Sequence, residues 1–239
     1  MIDLGSPRAI VLDVEGTTTP VRFVYDVLFP HAREGMAAFL AAHLLDGVVH
    51  GAVAGLRVEH AMDTAAGRNP PAWGEDEAEA AAAYARWLMD EDRKATSLKS
   101  LQGLIWEEGY RSGVLRGRVY PDVPAAFERW KRAGKTLAVF SSGSVLAQRL
   151  LFTHSEAGDL ERFLSAHFDT TTGPKTEPAS YARIAAALGR PPAQVLFLSD
   201  VAAELDAARR AGMLTALVAR EAPVPESSHP VLRDFGELD

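Results

Sequence analysis

The chain contains no cysteine among its 239 residues. That absence excludes disulfides, a thiol nucleophile and a thiolate zinc site, and it fits a reducing compartment. Lysine and arginine form no long cluster, and the formal net charge is −7, so the electrostatic footprint of a nucleic-acid or anionic-membrane binder is missing. A local phosphate site remains compatible with that balance. No stretch approaches the roughly 20 consecutive apolar residues that a membrane-spanning helix needs. The opening residues Met1 to Arg8 lack the basic start and apolar core of a secretion signal. No internal repeat or long disordered linker is visible. The expectation is a cytoplasmic protein with a small-molecule partner and neither nucleic acid nor membrane as a partner.

An apolar content of 47% is enough for a substantial core. Three continuous apolar runs stand out: Ala9-Ile10-Val11-Leu12, Leu137-Ala138-Val139-Phe140 and Val195-Leu196-Phe197-Leu198. Continuous runs, unlike alternating ones, predict strands covered on both faces, as in a parallel sheet. From Pro121 onward such runs alternate with helical segments. Pro124 to Ala133 stops at Gly134, Ser144 caps a helix from Val145, Pro178 to Leu188 stops at Gly189, Val201 to Ala211 stops at Gly212, and Leu214 to Val218 is a last strand.

Between the first run and Pro121 the pattern is helical instead, with segments around His31 to Leu45, Glu75 to Lys94 and Ser97 to Tyr110 and a loop at Gly67 to Pro71. The expected fold class is therefore α/β: a three-layer Rossmann-like core with a mainly parallel sheet and an inserted helical cap. Residues 1–20 and 112–239 would form the core and 21–111 the cap.

Each of the three runs ends in groups capable of chemistry. The first enters Asp13-Val14-Glu15-Gly16-Thr17-Thr18, the second Ser141-Ser142-Gly143-Ser144, and the third Ser199-Asp200 with Glu204 four residues on. In open parallel sheets ligands sit at the carboxyl ends of strands, so these segments would share one crevice. Asp13 is suited to be a nucleophile that accepts a phosphoryl group, and Glu15 to protonate the leaving oxygen and activate water. Mg²⁺ prefers a few carboxylate oxygens plus phosphate and water, and Asp13 and Asp200 are the evident ligands. Ser141, Ser142 and the amide of Gly143 can donate to phosphate oxygens, and Lys175 can pair with both Asp13 and the phosphate. Singly, each has a plainer reading: Asp13 and Ser141 to Ser144 as helix caps, Lys175 as a solvated cation, Glu204 as a complement to a helix dipole. Their joint occurrence in this order favours the chemical one.

The set resembles the haloacid-dehalogenase superfamily of phosphotransferases, whose pattern is a strand-end Asp-x-(Asp/Glu)-Gly-Thr, a Ser/Thr, a Lys and an acidic pair. The helical insertion after the first motif resembles that superfamily's cap. Further stretches, Phe23 to Pro30, Leu101 to Tyr110, Tyr120 to Val123 and Phe197 to Val201, look like the enolase-phosphatase (acireductone synthase) family of methionine salvage. Glu15 points the same way, since most phosphatases of the superfamily carry Asp there. The resemblance runs from about residue 9 to 218, and after Arg220 the segment Glu221 to Pro225 lacks the Gly-Asn turn often found there.

The resemblance implies enolisation of 2,3-diketo-5-methylthiopentyl 1-phosphate, then dephosphorylation to 1,2-dihydroxy-3-keto-5-methylthiopentene, with one Mg²⁺ per subunit and a monomeric chain. Carried over, Asp13, Glu15 and Asp200 fall on the metal site, Glu15 through its carbonyl, its carboxylate or both. Ser141, Ser142 and Lys175 fall on the phosphate, and catalysis falls to Asp13, Glu15 and Lys175. The enolisation base would be Glu15 or a cap residue, with Lys99, Gln102 and Trp106 shaping the thioether and diketone pocket. Two alternatives share many of these residues. A general phosphatase of the same superfamily, acting on a sugar or glycolate phosphate, would differ only in its cap. A phospho-accepting signalling domain would place its acceptor on a later strand and lack the helical insertion.

Overall fold

The computed structural model describes residues 5–93, 95–221 and 226–238. Lys94, expected as the end of a helix, and Ala222 to Pro225, where the family turn is missing, lie outside the described residues, as do the first four residues.

The chain divides into two compact units, Met1–Phe23 with Arg116–Asp239, and Val24–Leu115. In the first, β1 (Ala9–Leu12), β2 (Thr136–Phe140), β3 (Leu164–Phe168), β4 (Val195–Ser199), β5 (Leu214–Val218) and β6 (Val231–Leu232) form one sheet in the order β3-β2-β1-β4-β5-β6. Every pairing is parallel, with Leu12 opposite Val139 on one side and Leu198 on the other. This is an α/β fold of the Rossmann-like kind. The four residues of β1 are all completely buried, as an apolar run between two neighbours and two helical layers must be.

Helices α6 (Val123–Arg132), α7 (Val145–Thr153), α8 (Pro178–Ala187) and α9 (Ala202–Arg210) supply those layers, and the one-turn α1 (Val21–Phe23) also belongs to this unit. One layer packs Tyr181, Ile184, Ala185, Leu205 and Ala208 against Val11, Phe140, Val195 and Phe197. On α6, Phe127 and Trp130 are fully buried, and Trp130 meets Phe235 near the chain's end at 5.2 Å between ring centroids. Burying such a ring contributes roughly 1.5–3 kcal/mol. Proline at the first turns of α6 and α8, and Ser144 Oγ accepting from Ala147 N at 3.2 Å, start three of these helices where the sequence predicts.

The edge strands β3 and β6 were not legible. Leu164-Ser165-Ala166-His167-Phe168 alternates polar and apolar residues and is only half-buried, and β6 has two residues. Chain order alone does not reveal such pairings.

The second unit is helical. It opens with a π-helical turn at Val24–Leu28 and continues with α2 (Phe29–His43), α3 (Gly47–Ala65), α4 (Glu77–Asp90) and α5 (Thr96–Arg111). Helix α3 went unrecognised because its glycines at 47, 51 and 55 and its β-branched valines weaken helical propensity. Packing overrides that preference. At Gly55 a side chain would collide with Ser97 of α5, so glycine there permits the close approach of the two helices. Asp63 of α3, 2% exposed, accepts from Tyr84 Oη at 2.8 Å and from Arg68 at 2.7 Å, with Arg93 also paired to it. Those partners hold the Asp63 carboxyl below its ordinary range despite the opposing effect of burial.

Candidate active site

In a sheet of this order the crossover direction reverses beside β1, and a crevice opens at the carboxyl ends of the strands there. The residues immediately after β1, β2 and β4 converge on it. Asp13, 3% exposed, has its Oδ1 fixed by Val14 N at 2.8 Å and by Lys175 Nζ at 2.5 Å, while its Oδ2 accepts from Ser199 Oγ at 3.2 Å. Lys175 is nearly buried and also meets Glu204 Oε2 at 2.7 Å. Tyr181 Oη donates to the Lys175 carbonyl at 2.6 Å, so the loop that delivers the lysine is tied to α8. Ser199 Oγ lies 3.0 Å from Glu204 Oε2 and bridges the two carboxylates.

Glu15 faces a different neighbour. Its carboxylate accepts from Ser141 Oγ at 3.0 Å, and Ser141 Oγ in turn accepts from Gly143 N at 2.9 Å. The Gly143 amide, expected as a phosphate donor, is therefore engaged with Ser141. The turn after Glu15 brings Thr17, Thr18 and Thr19 N–H groups onto Val14 O, and Gly16 N onto Thr19 O. Thr17 Oγ1 accepts from Asp200 N at 3.0 Å and approaches Asp200 Oδ1 at 3.5 Å. Gly16, at φ 78°, leaves room for that carboxylate, because a side chain there would overlap Asp200 Oδ2.

Four carboxylates thus feel one ammonium, which contacts two of them, Asp13 and Glu204. Burial and the charge on Asp13 push the Glu15 carboxyl up, and they push Asp200 to about 6 and Glu204 to about 7. Burial alone would lower the Lys175 ammonium, but Asp13 and Glu204 outweigh it and hold it above the ordinary lysine value. A site short of positive charge, with hard oxygen donors only, suits a hard divalent cation. Among the described residues no group of three or more His, Cys, Asp or Glu side chains could hold a metal ion. Mg²⁺ does not require one, since it retains water and takes phosphate oxygens alongside one or two carboxylates. The donor set fits.

Of the residues singled out from sequence, Asp13, Glu15, Ser141, Lys175 and Asp200 come together here, with Glu204 beside them. Ser142 is exposed on the adjoining turn. Lys99, Gln102 and Trp106 belong to the helical unit. Trp106 is 9% exposed there, donates its indole N–H to Leu28 O at 2.8 Å and stacks on Phe29, so its polar and apolar parts both build that unit. Sequence reasoning placed Thr17 and Ser199 within the strand-end motifs but gave neither a role. The run Thr17-Thr18-Thr19 was a usable signal, since hydroxyls directly after a strand-end acid can orient the acids around them.

Comparison with known proteins gives this constellation its context. A family profile described as haloacid dehalogenase-like hydrolase matches residues 7–212. A protein of Synechococcus elongatus named enolase-phosphatase is 53% identical over 98% of this chain and 98% of its own length. One of the same name from Azotobacter vinelandii is 50% identical over 97% of each. The crystal structure of the Unknown transcript 4 protein of Saccharomyces cerevisiae, 34% identical, superposes with a TM-score of 0.78 over 98% of this chain and all of that one. Likeness of that extent through both units means that the chain belongs to the haloacid dehalogenase-like hydrolases and, within them, to the enolase-phosphatases.

Proposed function

We propose that this enzyme converts 2,3-diketo-5-methylthiopentyl 1-phosphate to 1,2-dihydroxy-3-keto-5-methylthiopentene and phosphate in methionine salvage, by enolisation followed by hydrolysis of the phosphate ester. The observation that carries the reading is that the likeness to enolase-phosphatases extends over 98% of the chain, the helical unit included. A general phosphatase of the superfamily would need to share only the α/β unit.

Asp13 and Asp200, with the main-chain carbonyl of Glu15, are the groups that would hold one Mg²⁺ per chain; bound there, the ion supplies charge neutralisation for the phosphoryl oxygens and polarisation of a neighbouring carbonyl. The carbonyl is preferred for Glu15 because its carboxylate is turned to Ser141. Asp13 attacks phosphorus and forms an aspartyl-phosphate, which water then hydrolyses. Lys175 restrains Asp13 and faces the charge that accumulates on the transferring group. Ser141 and Ser142 donate to phosphate oxygens. When Glu15 carries a proton it can donate to Ser141 Oγ, which frees the serine hydroxyl hydrogen for the phosphate. The raised proton affinity of Glu15 also suits it to protonate the leaving oxygen and to take a proton from water or from the methylene beside the ketone.

The same proposal takes one chain as the functional unit, as the family resemblance implies. Zero cysteine content and a phosphorylated metabolite as substrate support a cytoplasmic location. Among the described residues no single helix is long and apolar enough to cross a membrane.

The test supplies the diketo phosphate with Mg²⁺ and follows enol absorbance and released phosphate in one reaction. Enol formation with stoichiometric phosphate is the expected outcome. Phosphate release from simple esters without turnover of the diketone would overturn the enolase-phosphatase assignment and leave a general phosphatase.

A further inference from the structure

Arg220 follows β5 and lies outside every motif used above. Its side chain is 5% exposed, which is unusual for an arginine without a function for its charge. The guanidinium lies 4.4 Å from the ring centroids of both Tyr120 and Phe235, between two aromatic side chains. Nη1 donates to Asp122 Oδ2 at 2.8 Å, and that same oxygen accepts from Phe235 N at 2.7 Å. The remaining donors converge on one atom: Nε and Nη2 reach the Thr17 carbonyl at 2.9 and 2.7 Å.

Thr17 is the residue whose hydroxyl accepts from Asp200 N, and the Gly16–Thr17 turn is the surface on which the Asp200 carboxylate rests. A second clamp holds the other side of the turn, since Tyr120 N donates to Thr18 O at 2.9 Å. The far end is anchored as well, by Arg129 Nη2 donating to Phe235 O at 2.6 Å and to Leu238 O at 2.8 Å.

We infer that Arg220 is a positioning residue for the metal site: it locks the Thr17 carbonyl, and thereby the turn that orients Asp200, to Asp122 and the C-terminal segment around Phe235. The inference rests on the Mg²⁺-dependent reading given above. A planar fork with two donors aimed at one carbonyl and a third at a carboxylate fixes direction as well as distance, which a lysine ammonium cannot reproduce. Groups that orient a metal's ligands typically change metal affinity about 10- to 100-fold when altered.

The test measures Mg²⁺ binding by calorimetry, without substrate, for the unaltered chain, Arg220→Lys and Thr17→Val. Arg220→Lys keeps a buried positive charge for Asp122 but loses the fork. Thr17→Val keeps the carbonyl contact and removes only the hydroxyl that seats Asp200, so it carries the test if Arg220→Lys does not fold. Both variants are expected to bind Mg²⁺ about 10-fold more weakly. In both, kcat should recover towards the parent value at saturating Mg²⁺. A merely structural arginine would lower Tm in Arg220→Lys and leave its Mg²⁺ affinity unchanged, and unchanged affinity in Thr17→Val would show that the turn does not seat Asp200; either result overturns the inference. Failure of the unaltered chain to bind Mg²⁺ would overturn the metal-dependent reading itself, and this inference with it.

Discussion

Replacing Gly16 by alanine separates backbone strain from damage to the site. Gly16 has φ 78°, a left-handed conformation that costs an L-residue about 1–2 kcal/mol. For a chain of this size each kcal/mol lowers Tm by about 2–4 °C. Gly134, at φ 74° after α6, carries the same backbone penalty, but a methyl group there meets nothing within 4 Å. At Gly16 the methyl overlaps Asp200 Oδ2, and the carboxylate must retreat by about 1 Å, a displacement that can cost ~100-fold in rate. Gly16→Ala and Gly134→Ala should therefore melt within a few degrees of each other. Phosphate release at fixed Mg²⁺ should fall about 100-fold in kcat/KM for Gly16→Ala and stay near the parent value for Gly134→Ala. Parent-like kcat/KM in Gly16→Ala would refute the seating of Asp200 on this turn.

Asp13→Asn should fold, because the amide keeps its shape and an acceptor for Lys175, yet phosphate release should fall to the background of the assay; measurable turnover would remove Asp13 as nucleophile. Lys175→Met leaves Asp13 and Glu204 facing each other without a cation, and removal of one partner of such a buried pair costs about 3–5 kcal/mol, which denaturant titration without metal would reveal as a lower midpoint. The metal-free chain should lose stability as pH rises. Asp200 and Glu204 titrate near 6 and 7 when folded, above their ordinary values, so their contribution is complete below about pH 4 and is lost as pH rises through 6 to 7. Tm without metal should accordingly be higher at pH 5.5 than at 7.5, and the opposite order would show that these carboxylates are not crowded as described.

The parts of this fold that were legible in the sequence are those where one residue type can do only one thing. Ala9–Leu12 could be a doubly covered strand because nothing in it is polar, and Gly134, Gly189 and Gly212 could end helices because each takes a positive φ. Leu164–Phe168 and Gly47–Ala65 are different. An alternating edge strand and a glycine-interrupted helix depend on what packs against them, and Ser97 beside Gly55 is 42 positions away in the chain.

The site divides along the same line. Asp13, Ser141 and Asp200 could be named from the strand ends that carry them, and Lys175 from the loop before α8, because the sheet order turns distant segments into one crevice. Their electrostatics could not be read in that way. Glu204 looks from sequence like an acid on the first turn of a helix, suited to its dipole; in space it is the second carboxylate on Lys175, and Ser199 ties it to the first. The local excess of negative charge exists only because β1, β4 and the Lys175 loop meet. That excess, rather than any single motif, is the physical reason for expecting a divalent cation, and the binding of Mg²⁺ should reverse the pH dependence of the metal-free chain by giving Asp13 and Asp200 the charge they lack. A Tm that rises with Mg²⁺ more strongly at pH 7.5 than at pH 5.5 is the result this reasoning requires, because at the lower pH a proton already occupies the Asp200 carboxylate and competes with the metal.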